Sequence, residues 1–377
     1  MTKQNCTDVL DNGTYCWTEP EKAQVLGSFF YTYCLQIPVT MLARKLGFSL
    51  MLKVYTVVSA VLIGGVPWFA MWSPYAVIAA QAVRGFIAPI FMSYNYEFVR
   101  VWTVPSESLY FIGGFGGMML LGNYVGGFVA GLIARHLGWE NYFYICGINF
   151  LIIFILILIF VSVTPGESKF MNKKEKNLYL DKDTSEVSEA KKAPYTEIFK
   201  RSYLWAFCAF LFSIDIVYNT MLINIPFYLS EVLKIRNEVI SLILLTFGIV
   251  LVAGTFGATR FVAAIDSIKR LSWVQKRQIT AFGPFLIQTL LIILIPNVDS
   301  KPVAVTLLVI MALCNCNMFV GSIFSICYEI DPINSSTVVS ILNGCGQLSG
   351  FVAPALREYI TTTDKMDPNY DEVFRQR

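Results

Sequence analysis

Arg84, Glu97 and Asp215 stand inside long apolar stretches of a 377-residue chain. If those stretches lie in lipid, each charge costs about 2.5–3.5 kcal/mol to insert, so each needs a partner or a task. The Arg84 guanidinium can grip a carboxylate or phosphate, or serve as a structural ion pair or backbone clamp. Asp215 can take up H+ or Na+, or neutralise Arg84. Asn343, Tyr31 and Tyr218, together with Tyr33 and Tyr94, supply neutral hydrogen bonds of the kind that anchor a small ligand among apolar walls, with helix packing as the plainer alternative. Glu97, Arg100 and Lys53 fall near the ends of their stretches, where gate ion pairs or snorkelling anchors are expected. The single histidine, His136, has no acidic neighbour in sequence, and no Cys/His spacing suits a metal. No catalytic constellation emerges, and an enzyme is not expected.

The elements that hold these residues are dictated by composition. Hydrophobic residues make up 55% of the chain and charged ones 15%, against roughly 25% charged in soluble domains. Ten windows are long enough to cross a bilayer, which takes about 20 apolar residues. They cover residues 24–43, 54–73, 74–98, 109–134, 141–165, 202–230, 239–259, 279–298, 302–328 and 337–356, and eight of them hold no Asp, Glu, Lys or Arg. Lipid offers backbone groups no partner, so each window is read as a helix. Glycines such as Gly127 and Gly131, at GxxxG spacing, are read as packing positions.

Lys and Arg alternate between the connecting segments. Arg44, Lys45, Lys53, Arg100, nine basic residues from Lys169 to Arg201, Arg260, Lys269, Arg270, Lys276 and Arg277 fall on one side, which is therefore the cytoplasmic one. The N-terminal segment then lies outside, where the sequons at Asn5 and Asn12 are open to glycosylation. Seven of the nine cysteines sit in apolar windows. Cys6 and Cys16 share the oxidising side and are a candidate disulfide, with free thiols as the alternative. The organisation expected is a lumenal or extracellular segment (1–23), a first helical bundle (24–165), a charged cytoplasmic linker (166–201), a second bundle (202–357) and a polar tail (358–377). The polar start has no cleavable leader to carry it outward, so one helix is expected to be absent at each end of an original twelve.

Several strings then resemble one family. Trp17–Pro38, "WTEPEKAQVLGSFFYTYCLQIP", looks like its second helix; "VWTVPSES" (101–108) is similar to the loop after its fourth; "GWENYFYICG" (138–147) is similar to the entry to its sixth. Asn343–Pro354 carries the Asn-Gly-x-Gly-x-Leu-Ser-Gly-x-x-x-Pro pattern of its eleventh helix, preceded by "EIDP" (329–332). The family is the anion transporters of the major facilitator superfamily, among them sialin, the vesicular glutamate transporters and the type I sodium-phosphate transporters. The resemblance runs almost end to end. It implies an all-α membrane protein of two pseudo-symmetric bundles, working as a secondary transporter of a small organic or inorganic anion.

The chain departs from the family where charge matters. The helix-four arginine and glutamate fall at Gln81 and Ala88, a histidine at Leu26, the helix-seven arginine at Ile214, and a loop aspartate at Arg44. Substrate identity and coupling ion, H+ or Na+, stay open. The alternative is a transport-inactive relative acting as a sensor or binding partner, or an incomplete isoform. Partners expected are the anion and the lipid bilayer, without nucleic acid or organic cofactor. The setting expected is a multi-pass monomer in the plasma membrane or a lysosomal or vesicular membrane.

Overall fold

The computed structural model describes residues 17, 19–104, 107–162, 168–172, 195–298, 300–320, 325–331, 333–350 and 352. Among them there is no strand. The first half comprises α1 (Glu19–Tyr33), α2 (Gln36–Leu46), α3 (Phe48–Gly64), α4 (Val66–Trp72), α5 (Pro74–Ile87), α6 (Ile90–Trp102), α7 (Ser108–His136) and α8 (Trp139–Phe160). The second comprises α9 (Tyr195–Lys200), α10 (Ser202–Phe227), α11 (Asn237–Asp266), α12 (Trp273–Leu294), α13 (Lys301–Met318), α14 (Ser325–Ile330) and α15 (Ser335–Gln347).

Among the described residues, seven spans are long and apolar enough to cross a membrane, and two bent pairs raise this to nine. The tenth expected window begins as α15 and runs beyond the described residues. The α1/α2 pair bends by 52° and α3/α4 by 50°. Helix α3 starts at Phe48, earlier than the apolar window from 54, because Lys53 lies only a turn and a half from its inner end and can reach the interface. Local chemistry sets the boundaries. Ser73 accepts the Tyr75 N–H (3.2 Å) ahead of Pro74 at the start of α5, and Ser272 and Gln275 form a reciprocal capping box on α12. Gly47, at φ +98°, turns α2 into α3.

Helix α8 shows what solvent the fold is made for. Ile148, Leu151, Ile152, Ile155, Leu156, Leu158, Ile159 and Phe160 are all exposed, and only Gly147 and Ile157 are buried. Water would not tolerate such a patch; lipid is its natural surround. Within the first half, α1 packs on α5 and α3 on α8; within the second, α10 packs on α15, and α13 on α11 and α12.

Two seams join the halves: α7 against α11, and α15 against α2 and α6. At the first seam an added Cβ on Gly113 would collide with Thr259, and one on Gly117 would lie 3.2 Å from the Thr255 Cβ. These two glycines let the backbones close. A Cβ added at Gly127 or Gly131, the pair singled out by spacing, would meet nothing within 4 Å among the described residues. Gly131 lies eighteen residues, or about five turns, beyond Gly113 on the same face. The seam is closest where Gly113 and Gly117 meet Thr259 and Thr255, and it holds as far as Tyr124 against Gly248.

Candidate functional site

Arg84 lies ten residues into its span, about 15 Å from the outer end and so near mid-membrane. Its guanidinium sits 4.8 Å from the centre of the Phe29 ring, a cation–π contact worth about 2 kcal/mol when desolvated. It borders a cavity of ≈ 310 Å³ lined by Phe29, Tyr55, Ile63, Tyr142, Phe143, Cys146 and Phe150, drawn from α1, α3 and α8. Among the described residues, Nε is buried without a hydrogen-bond partner and no carboxylate pairs with Arg84. Close helix packing builds this chamber. Gly85 lets α5 approach the Phe29 carbonyl and Thr32, and Thr32 Oγ1 donates to the Ala82 carbonyl (2.7 Å). On the far wall Gly147 meets Gly64, backbone to backbone.

Asp215 occupies the other locus. It is buried (3% exposed) on α10, about 20 Å from that helix's inner end. Among the described residues its carboxylate accepts a hydrogen bond from Gln347 Nε2 at 3.5 Å, a weak contact. Gly346 is needed beside it, since a Cβ there would strike the carboxylate and Leu211. Asn343 Nδ2 donates to the Tyr33 hydroxyl (3.4 Å), linking α15 to α1 across the halves. Asn123 donates to the Tyr218 hydroxyl (3.2 Å), linking α7 to α10, and Asn219 donates to Ser349 (2.8 Å). Tyr31 is half-exposed and folds back over Gly27.

Arg84 and Asp215 do not pair among the described residues. They are joined by an aromatic step: the Phe29 ring under Arg84 stacks on Tyr33 (5.1 Å, 23°), and Tyr33 lies within electrostatic reach of both Tyr55 and Asp215. The arrangement offers a cationic chamber and a carboxylate locus on either side of one aromatic pair. The first suits an anion, the second a proton or small cation.

Asn5, Asn12, Cys6 and Cys16 lie outside the described residues. Glu97 and Arg100 form an i,i+3 ion pair near the inner end of α6, with Arg100 Nε also donating to Glu97 Oε2 (3.2 Å). Two features escaped the sequence reading. Gln36, at the break between α1 and α2, is fully buried with neither amide atom hydrogen-bonded among the described residues, and its Cγ faces Gly344 across the seam. Thr40, Ser93 and Ser340 form a buried triangle of hydroxyls at 2.5, 2.7 and 3.0 Å, uniting α2, α6 and α15. Ser and Thr are inexpensive in apolar helices and carry no warning charge. Gln36 carried a signal, as an amide between a helix break and Pro38.

At the inner end of the second half, Arg277 bridges Asp266 (2.9 Å) and Glu329, with Trp273 Nε1 also donating to Glu329 (2.9 Å). This network staples α11, α12 and α14.

A sequence profile of the Major Facilitator Superfamily matches residues 12–354. Sialin of Ovis aries is 30% identical over 234 residues, 61% of this chain and 47% of that protein. Sialin of Homo sapiens is 28% identical over 225 residues, 59% and 46% of the two chains. Vesicular glutamate transporter 3 of Danio rerio is 22% identical over 365 residues, 93% of this chain and 60% of that one. Each match spans less than two thirds of the relative's own length.

Proposed function

Because the chain belongs to the Major Facilitator Superfamily and is a multi-pass membrane protein, we propose that it is a secondary carrier of a small anion, the anion held in the Arg84 chamber within the first half while the two halves rock against each other. The observation that carries this reading is Arg84: a half-buried guanidinium near mid-membrane, its Nε buried and without a carboxylate partner among the described residues, bordering an aromatic cavity of ≈ 310 Å³. A lone cation at that depth is costly, and a carboxylate, phosphate or sulfate bound bidentately offsets the cost. The named relatives, sialin and the vesicular glutamate transporters, support a transporter rather than an enzyme, and a vesicular membrane as its setting.

In this mechanism Arg84 grips the anion while Tyr55 and Tyr142 supply hydroxyl contacts along the chamber wall. Asp215, Gln36 and Asn343 form the second, seam-side locus, where H+ or Na+ binding is coupled to movement of α15 against α2. The close packing at Gly113 and Gly117 and the hydroxyl triangle support a pathway sealed on the inner side. Transport then requires the inner seam to open, and every contact confined to it becomes a brake on that step.

Uptake of labelled small anions into liposomes tests the proposal. Saturable flux that Arg84→Gln lowers by about 100-fold or more is expected, the loss of a charge-assisted bidentate contact of about 3 kcal/mol. Folded protein without saturable flux for any carboxylate, phosphate or sulfate would favour the transport-inactive reading.

A further inference from the structure

Two buried amides of the second half have no task in the anion chamber. Asn315 on α13 is 3% exposed and Gln288 on α12 is 2% exposed, and the carbonyl oxygen of each is buried without a hydrogen-bond partner among the described residues. Their nitrogens are engaged: Asn315 Nδ2 donates to the Met311 carbonyl (3.4 Å), and Gln288 Nε2 points to Met221 Sδ (3.8 Å). Reversing the Asn315 amide would set oxygen against the Met311 carbonyl, which fixes its orientation. The two side chains meet at Met221, Gln288 through that contact and Asn315 as a wall of a small cavity that Met221 shares with Tyr218 and Tyr124. The cavity, ≈ 10 Å³, takes a single water-sized body.

Unpaired amide oxygens in an apolar interior are costly. Both orphan atoms are acceptors, so the occupant must be a hydrogen-bond donor or a cation. A buried water is the plainer occupant, but the local charge favours a cation. Asp215 lies one turn before Tyr218 on α10, within electrostatic reach of it. Among the described residues no Lys or Arg pairs with Asp215. Oxygen ligands beside an uncompensated carboxylate are what a small hard cation takes. The cavity also straddles the halves. Tyr124 and Asn123 belong to α7, and Asn123 donates to the Tyr218 hydroxyl (3.2 Å). Tyr124 and Tyr218 both lie about 24 Å from the inner ends of their helices, at the depth and the junction where coupling ions are held in carriers built from repeats.

We infer that Na+ binds between α10, α12 and α13, held by Asn315 Oδ1, Gln288 Oε1 and the Tyr218 hydroxyl oxygen, with Asp215 as the counter-charge. The narrow cavity disfavours the larger K+. This rests on the carrier reading for its consequence, which is that Na+ is the coupling ion. When the halves rock, Asn123 and Tyr124 leave Tyr218, and the site opens to release the ion.

Thermal unfolding of the purified full chain in matched chloride salts of sodium, potassium and choline tests the inference, together with binding of radiolabelled Na+. Sodium should raise the melting temperature by several degrees over choline, potassium by far less, and labelled Na+ should bind saturably. Asn315→Leu and Gln288→Leu should each weaken Na+ binding about ten-fold or more, the worth of one oxygen ligand to a charged group. Neither should lower the melting temperature in choline, since leucine removes the orphan oxygen at nearly constant volume. Equal melting temperatures in all three salts would make the occupant a water and overturn the inference. Equal stabilisation by potassium, or Na+ binding that survives both substitutions, would overturn it too, and absence of saturable Na+ binding to the natural sequence would do so whatever the variants show. No carboxylate, phosphate or sulfate is present, so failure here leaves the Arg84 chamber standing, and failure of anion binding at Arg84 leaves this site standing.

Discussion

Ser340→Ala weakens the inner seam without opening a cavity, and its effect can be worked from the hydroxyl triangle. Ser340 Oγ contacts Thr40 at 2.5 Å and Ser93 at 3.0 Å, both on the opposite half, while its bond to the Ser336 carbonyl (2.6 Å) stays within α15. Removing the hydroxyl deletes two contacts that exist only while the inner side is closed. Thr40 and Ser93 keep each other at 2.7 Å, so no polar group is stranded. Hydrogen bonds between membrane helices average about 0.6 kcal/mol, so the closed state loses about 1.2 kcal/mol, an approximately eight-fold gain in the inner-open population. Spin labels on Lys45→Cys and Lys269→Cys, one on each half and exposed at the inner end, report the separation in reconstituted protein by pulsed electron resonance. The long-distance fraction should rise in Ser340→Ala. An unchanged distribution, or a shorter one, would refute the assignment of this triangle as a brake.

Three further outcomes are expected. Asp215→Asn should abolish accumulation driven by a proton or sodium gradient while one-for-one anion exchange persists; gradient-driven uptake surviving in the variant excludes Asp215 from coupling. Gly117→Leu should overpack the α7–α11 seam by about 1–3 kcal/mol and lower the thermal midpoint, whereas Gly131→Leu, in open space, should not; equal effects would show that the seam does not close where described. Arg277→Gln strands Asp266 and Glu329 at the inner end of α11 and α14, at a cost of about 1–3 kcal/mol, reduced because both carboxylates are about a third exposed. Hydrogen exchange across residues 267–272 should quicken, and unaltered exchange would mean that the network is not what holds that corner.

Composition and charge alone carried the all-α membrane fold, since length and apolarity decide what can cross lipid. Helix breaks were not legible in the same way. The 52° bend after Tyr33 leaves hydropathy unchanged, and beside it Gly344 on α15 lies close to the Cys34 carbonyl. Arg84 stood out in sequence by its cost. Its direction did not, because a helix offers every rotation until neighbours such as Gly85 and Gly147 fix which faces meet. Asp215 was legible as an isolated carboxylate, but its partner Gln347 lies 132 residues away, beyond any local pattern. The hydroxyl triangle, spanning 300 residues between Thr40 and Ser340, left no periodic trace. Among the glycines, spacing flagged Gly127 and Gly131 because GxxxG recurs along α7, and only packing reveals the close approach at Gly113 and Gly117.

Anion binding at Arg84 can be measured directly from the thermal stability of the purified protein against small carboxylates, phosphate and sulfate, with Arg84→Gln alongside. A ligand at 100 times its Kd adds about 2.7 kcal/mol to the folded state. At least one anion should raise the melting temperature of the natural sequence by several degrees and leave Arg84→Gln unmoved. Equal stabilisation of both proteins, or of neither across the whole panel, would contradict the assignment of that chamber as the anion site.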